Sequence, residues 1–327
     1  MTERAIGQVP NDLLGISSLL PSKNGEKYLA QLIPQILDML NIDDELIVIN
    51  DGSTDNSANI LVELSKLDSR IKILSTKGIG LVASLNLGIK EAKNPWIARF
   101  DVDDEYLNNR LKEQRRFIGS DVAVVFSDYT FMSSSGICLG SIPTAILPNP
   151  TKLSLITSQR TPHPVALINK KMFFAAGGYK INDFPSEDLG LWLRLADLGK
   201  IVSTPRRLLY YRLSGSSISS LHRSQQIDKK NKLIHEFKHW KDLFQLSIDE
   251  LPKTIEFYIK QTSSTARIVL HLRDISIAAR LSGTSLGLKK LASVLPVQTI
   301  IRIPIVVVEI YAKIMIRRTY RLVKNFF

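Results

Sequence analysis

Three carboxylates stand within four residues at Asp101-Val102-Asp103-Asp104, directly after the apolar, strand-like Trp96-Ile97-Ala98. Like charges a few ångströms apart repel, so a strand end that carries them is costly unless a cation joins them. A hard divalent cation, Mn2+ or Mg2+, meets that need, held by one or two carboxylates with phosphate oxygens completing its shell. For an Asp-x-Asp standing alone, a solvated acidic loop is the plain alternative. Two further groupings carry chemistry of the same kind. Asp51 opens the turn Asp51-Gly52-Ser53-Thr54-Asp55 behind the apolar run 45–50, and Glu187-Asp188 begin a helical pattern after Pro185-Ser186. Acids at a helix start are favoured by the dipole alone, or they are placed to take a proton. His163, between Pro162 and Pro164, and Arg212, ahead of a Ser/Gly-rich stretch, complete the candidates.

The elements that must position these residues alternate in type over the first 120 positions. Leu14 to Leu20 is an apolar run ended by Pro21, after which Leu29, Leu32, Ile33, Ile36, Leu37 and Leu40 recur at helical spacing. Glu45 to Asn50 reads as a strand buried on both faces, and Asp55 as the N-cap of a helix through Leu67. Ile71 to Leu74 is a third strand, Gly80 to Ala92 a helix, and Trp96 to Phe100 the fourth strand. This alternation specifies an α/β fold with an open, mostly parallel sheet flanked by helices. Ligands of such sheets bind at the carboxyl ends of the strands, where both Asp51 and Asp101 fall. Farther on, a Val/Phe-rich strand at 122–126, a turn at Ser133–Gly136 and a loop at 161–164 precede the acidic helix. Ser186 is placed to cap that helix; Leu189, Trp192, Leu193, Leu195 and Ala196 face the core, and Gly199 ends it. Beyond Ser217 the pattern is helical. Gly78 and Gly80 belong to no nucleotide-binding glycine signature, and no Cys/His cluster has zinc spacing.

Charge is unevenly distributed along the 327 residues. Residues 1–200 hold 21 Lys and Arg against 23 Asp and Glu, whereas residues 201–327 hold 22 against 8. The whole excess of +12 therefore belongs to the last third, which seeks an anionic lipid, a nucleic acid or an acidic substrate. Residues 300–327 combine Ile301, Ile303, Ile305, Val306, Val307, Val308, Ile310 and Ile314 with Arg302, Glu309, Lys313, Arg317, Arg318 and Arg321. Charges and Pro304 interrupt the run before it reaches the roughly 20 residues of a spanning helix. The expected form is a basic amphipathic helix on an anionic membrane face, with a buried terminal helix and a true span as alternatives. The single Cys138 excludes a disulfide framework, and residues 1–15 lack the basic start and apolar block of an export signal.

Six segments in order, ISSLLPSKNGEKYL, ELIVINDGSTDNS, GIGLVASLNLGIKEA, WIARFDVDDEYLNNRLKEQ, PSEDLGLWLRLADLG and LLYYRLSGSSIS, resemble the family 2 glycosyltransferases of the GT-A fold. The resemblance spans about residues 15–220 and is of the bacterial cell-surface polysaccharide type. It implies that Pro21, Ser22, Asn24 and Asp51 hold the base and ribose of a nucleotide donor. Asn50 stands where the family carries the first acid of its pair, a departure that removes one charge. Asp101 and Asp103 match the family's Asp-x-Asp. Asp103 is then the direct ligand of Mn2+ or Mg2+, while Asp101 reaches the ribose or a metal-bound water. Asp104 either supports the cluster or caps the next helix, and Arg99 serves as a structural counter-charge. Glu187-Asp188 match the Glu-Asp motif, with Asp188 as general base of an inverting transfer and Glu187 as its neighbour or acceptor-positioner. His163 is expected near the acceptor or diphosphate, unless it is structural. Arg212 either closes over the diphosphate beneath a Ser/Gly flap or is solvated.

The expected protein is thus a metal-dependent inverting glycosyltransferase. It moves one sugar from a nucleoside diphosphate donor, a UDP-sugar above all, to a lipid-linked or saccharide acceptor in surface polysaccharide synthesis of the O-antigen or capsule kind. No motif of the kind usual in processive members follows the acidic helix, so single additions are expected. The expected layout is a lead at 1–14, the transferase domain at 15–220 and a basic helical C-terminal extension at 221–327. The expected location is cytoplasmic, peripheral on the inner face of the plasma membrane. Two rivals stand beside this reading: a non-catalytic nucleotide-sugar or polysaccharide binding protein on the same scaffold, and a nucleic-acid binder using the basic tail. Aromatics are scarce among those basic residues, so nucleic acid is not an expected partner.

Overall fold

The structure, a computed structural model, describes residues 14–144, 147–157, 160–215 and 217–237, with Thr254 and Asp274 besides. The segment 300–327 and most of the basic extension lie outside the described residues. Contacts divide the chain into two units, Met1–Pro148 with Gln159–Phe237, and Asn149–Ser158 with Lys238–Phe327. The chain runs β1 (Ile16–Ser22), α1 (Glu26–Leu37), β2 (Glu45–Asp51), α2 (Ser57–Leu67), β3 (Ile71–Thr76), α3 (Leu81–Glu91) and β4 (Trp96–Arg99). It continues through β5 (Glu105–Tyr106), α4 (Arg110–Arg115), β6 (Val122–Met132), β7 (Cys138–Ile142), α5 (Pro148–Ile156), β8 (Leu167–Asn169) and α6 (Lys170–Ala175). Last among the described elements come α7 (Glu187–Leu198), β9 (Lys200–Arg212), α8 (Ile218–Leu221) and α9 (Arg223–Glu236).

The described strands form one sheet in the order β3-β2-β1-β4-β8-β6-β9-β5, with β7 paired to β6. The half built from β3, β2, β1 and β4 is wholly parallel, each crossover being made by α1, α2 or α3. The other half is mixed. β8 runs antiparallel to both β4 and β6, β9 runs parallel to β6, and β5 lies antiparallel on the edge. The α/β class holds, and parallel pairing dominates where helices supply the crossovers that parallel strands require.

Every residue of β2 is buried, which is why its centre, Leu46 to Ile49, is apolar without alternation. α1 turns Leu29, Leu32, Ile33 and Ile36 inward at helical spacing. α3 approaches β1 and β2 at Gly88, where a Cβ would collide with Leu19 and Ile49. Three local expectations change. β1 does not stop before Pro21 but runs on to Ser22, in register with Asn50. Leu19 turns its carbonyl toward Phe100, so the N–H that Pro21 lacks would point to the same side, just past the end of β4. Asp55 is not the N-cap of α2. Its carboxylate accepts the Ser57 N–H at 3.0 Å and the Glu26 N–H at 3.1 Å, while the Glu26 carboxylate accepts from Asn56 at 2.8 Å. Ser186 does stand at the N-cap of α7, yet its hydroxyl donates to the Gln226 carbonyl at 3.3 Å instead of capping.

Candidate active site

One cleft of about 850 Å³ opens at the carboxyl ends of β1, β2 and β4 and extends to the start of α7. Pro21, Ser22, Asn24, Asp51, Asp101, Asp103, His163, Glu187, Asp188 and Arg212 all line it. Every residue singled out for the site from sequence is therefore brought to a single cavity, although together they span about 190 positions.

Asp51 ends β2, and register pairs it with Thr76 at the end of β3. Its carboxylate accepts the Thr76 hydroxyl at 2.5 Å, the Ile79 N–H at 2.7 Å and the Gly80 N–H at 2.8 Å. Burial alone would raise its pKa, but these three donors outweigh burial and hold it below the usual value. Gly80 presents that N–H at a φ of +86°, a left-handed geometry suited to glycine. The loop 77–80 is thus a clasp for Asp51. Asn50 points elsewhere, its Oδ1 accepting the Ser53 N–H at 3.3 Å. Asn24, itself at a φ of +54°, stitches the loops after β1 and β2 together. Its N–H donates to Ser53 Oγ at 2.9 Å and its Oδ1 accepts the Thr54 N–H at 2.8 Å.

The acidic loop is held from both sides. Arg99, buried at the end of β4, donates to Asp101 Oδ1 at 2.6 Å and also to the Phe100 carbonyl, so it is the counter-charge that the sequence suggested. Tyr106 of β5 accepts the Asp101 N–H at 2.6 Å and donates to the Asp101 carbonyl at 3.2 Å. Burial and the neighbouring Asp101 push the Asp103 carboxyl up to about 6. Asp104 is more deeply buried, and its carboxyl is raised well above the usual value, by burial first and by Asp101 and Asp103 next. Its Oδ1 accepts the Arg212 N–H at 2.7 Å, which gives it the supporting role and not the helix cap.

Arg212 does not present its guanidinium to the cleft as a spare cation. It donates to the Asp103 carbonyl at 2.7 Å, the Glu105 carboxylate at 2.6 Å and the Ser134 carbonyl at 3.2 Å. With these bonds Arg212 clamps the acidic loop while still lining the cleft. His163 shares a 2.7 Å hydrogen bond with the Tyr179 hydroxyl and packs its ring on Trp192. Burial and then the Arg99 charge lower its pKa well below the usual value, so the ring is neutral and offers a diphosphate no charge.

On the wall of the same cleft, α7 begins with the two acids. Burial first and Asp188 second push Glu187 up to about 7, and its buried Oε2 has no hydrogen-bond partner. Asp188 is half-buried and raised by burial, and its Oδ1 accepts the Leu189 N–H at 2.7 Å. A carboxylate with a raised pKa beside a cavity is a proton acceptor tuned toward neutral pH. Sequence reasoning missed Thr76, Ile79 and Tyr106 as supports, and it missed Gln226 and Lys230, which α9 brings to the cleft wall. Only the paired glycines at 78 and 80 carried a local signal.

The donor set fits a hard divalent cation. Asp101 and Asp103 face one cleft, and the charge of one raises the pKa of the other, a cost that a bound cation would remove. Among the described residues no three His, Cys, Asp or Glu side chains converge into a cage. Two carboxylates leave coordination positions for phosphate oxygens, the arrangement such ions take with nucleotides.

The profile of Glycosyl transferase family 2 matches residues 17–178. An uncharacterized glycosyltransferase of Haemophilus influenzae is 29% identical over 239 residues, 68% of this chain and 72% of that protein. The O-antigen biosynthesis glycosyltransferase WbnJ of Escherichia coli is 30% identical over 184 residues, 55% of this chain and 71% of that protein. A longer uncharacterized glycosyltransferase of Rickettsia bellii is matched over 29% of its length at 26% identity. Among solved structures, the mannosyltransferase PcManGT of Pyrobaculum calidifontis, in complex with GDP-Man and Mn2+, aligns with a TM-score of 0.55 at 13% identity. The alignment covers 85% of this chain and 77% of that one. S. aureus TarS 1–349 with UDP-GlcNAc aligns with a TM-score of 0.53 at 17% identity, over 84% of this chain and 93% of that one. At such identities the likeness is one of fold, and the fold is GT-A. With 30% identity across more than two thirds of WbnJ, and with the motif residues in one cleft, the chain belongs to glycosyl transferase family 2 and is a glycosyltransferase.

Proposed function

We propose that the protein transfers a single sugar, with inversion, from a nucleoside diphosphate donor to a lipid-linked or polysaccharide acceptor in surface polysaccharide synthesis. The observation that carries this reading is the convergence of two acid groups on one cleft, Asp101 and Asp103 from the loop after β4 and Glu187 and Asp188 from the start of α7. The relatives and neighbours support it: WbnJ is named for O-antigen biosynthesis, and the two solved neighbours hold GDP-Man and UDP-GlcNAc. A UDP-sugar is the donor we favour.

Asp51, ionised and clasped by the 77–80 loop, receives the donor's base or ribose together with Pro21, Ser22 and Asn24. Asp101 and Asp103 would hold the Mn2+ or Mg2+. When bound, that ion supplies Lewis-acid neutralisation of the nucleoside diphosphate as it leaves. Asp188 accepts the proton of the acceptor hydroxyl while the hydroxyl oxygen bonds to the anomeric carbon and the bond to the donor phosphate breaks. Glu187 orients the acceptor, and neutral His163 lines the same cleft, held by Tyr179 and Trp192. The transferase domain is 15–220, and the basic extension at 221–327 meets an anionic membrane from the cytoplasmic side. No helix among the described residues is long and apolar enough to cross a membrane.

The test is turnover. Purified protein with Mn2+ and a panel of nucleotide sugars should release the nucleoside diphosphate only with its own donor and an isoprenyl diphosphate-linked saccharide acceptor. Binding without any release, across donors and acceptors, would reduce the protein to a binding module.

A further inference from the structure

α9 is a polar helix with no buried residue, so its placement rests on a few specific contacts. Gln226 donates to the Pro185 carbonyl at 3.0 Å, and its own carbonyl accepts the Ser186 hydroxyl at 3.3 Å. Lys229 donates to the Asn182 carbonyl at 2.6 Å. These bonds fasten the first turns of α9 to the segment directly ahead of the acidic pair. Gln226 and Lys230 stand four residues apart, hence on one helix face, and both line the cleft. Lys229 is tied outside the cleft, and Lys232 pairs with Glu236 at 3.9 Å. Among the described residues Lys230 makes no hydrogen bond and no ion pair, and it is half-buried.

An ammonium held in a cleft without an anionic partner is a ready site for an oxyanion. Asp188 feels its charge without bonding to it; Lys230 lowers the pKa of Asp188 while burial raises it. The donor's diphosphate does not need this lysine if Asp101 and Asp103 hold the cation that neutralises it. What remains next to the proton acceptor is the acceptor molecule.

We propose that Lys230 is the acceptor-recognition residue, and that the natural acceptor carries an oxyanion, a phosphate or a carboxylate, beside the hydroxyl that is glycosylated. This rests on the transferase reading and deepens it. Neutral saccharides are discriminated against because they offer the ammonium no charged partner. A phosphate at the end of an isoprenyl lipid and the carboxylate of a uronic acid share this chemistry.

The test uses the full chain saturated with UDP or GDP, whichever binds, and Mn2+, so that the donor side is occupied. Calorimetry then compares geranyl phosphate with geraniol, and glucuronate with glucose. In the wild type at least one anion binds about tenfold tighter than its neutral counterpart, as expected of one charge-assisted contact. The preference disappears in Lys230→Gln and survives in Lys230→Arg, and the anion that shows it identifies the lipid or the uronate source. An equal response to anion and neutral probe, or a preference retained in Lys230→Gln, overturns the inference. If neither nucleotide binds with Mn2+ in the wild type, it is the transferase reading that fails.

Discussion

Arg212 donates its backbone N–H to Asp104 Oδ1 at 2.7 Å, fastening the last residue of β9 to the third carboxylate of the acidic loop. The side chain of the same arginine reaches the Asp103 carbonyl and the Glu105 carboxylate, so one residue fixes three consecutive positions of that loop. Lysine keeps the charge but not the fork. Arg212→Lys should raise the Mn2+ concentration needed for half-maximal stabilisation by nucleotide about tenfold, the equivalent of about 1.4 kcal/mol lost from charged hydrogen bonds worth about 1.5–3 kcal/mol each. A Mn2+ titration followed by thermal unfolding measures this. An unchanged requirement would mean that the clamp does not hold the loop.

Glu187 makes stability depend on pH with a defined sign. Its pKa is pushed from 4.5 to about 7, so between those values the native protein keeps a proton that the unfolded chain has released. Stability therefore falls as pH rises through that window. Glu187→Gln should match the wild type in unfolding midpoint near pH 4 and exceed it at pH 8, by at most about 3 kcal/mol. A variant that is less stable than the wild type at pH 8 would show that the ionised carboxylate is satisfied in the fold.

The two acids at the start of α7 should separate by role. Asp188→Asn should lower kcat by about 10²–10⁴ and leave the nucleotide-dependent midpoint shift intact, because Asp188 takes the acceptor's proton and does not hold the nucleotide. Steady-state assays alongside thermal shifts distinguish this from a folding defect. Loss of nucleotide binding in Asp188→Asn would move Asp188 to the donor side.

Asp51 owes its low pKa to three donors, so its charge is tied to the clasp. Asp51→Asn leaves at least one N–H of Ile79 or Gly80 facing an amide, at a cost of about 1–3 kcal/mol. The expected result is a lower midpoint together with weaker nucleotide binding. Asp51→Glu should not restore either, since the longer chain displaces the carboxylate from a loop that sits on glycine geometry. Full recovery by glutamate would argue that charge alone matters.

The legibility of this site in the sequence follows from where its information lies. Asp51, Asp101 and Glu187 each announced themselves locally, through a strand followed by Asp-Gly, a strand followed by clustered acids, and acids opening an apolar helix. Their supports did not. Thr76 meets Asp51 because β2 and β3 share a register, and Arg212 meets Asp104 because β9 carries β5 on its edge. Neither pairing leaves a periodic trace in the chain. The clamp made by Arg212 was hidden for the same reason: beside the Glu105 carboxylate its acceptors are the Asp103 and Ser134 carbonyls, which composition does not reveal. α9 shows the opposite limit, for a helix with no buried face offers no pattern by which to predict that Lys230 enters the cleft.

In the proposed mechanism the acidic loop binds a nucleotide through a divalent cation. Thermal unfolding with UDP, GDP and CMP, with and without Mn2+, on the wild type and on Asp103→Ala, is the decisive measurement. A ligand at a hundredfold excess over its Kd contributes about 2.7 kcal/mol of stability. A Mn2+-dependent shift with one of the nucleotides, absent in Asp103→Ala, is the predicted result. A shift that persists in Asp103→Ala, or no shift with any nucleotide, would contradict it.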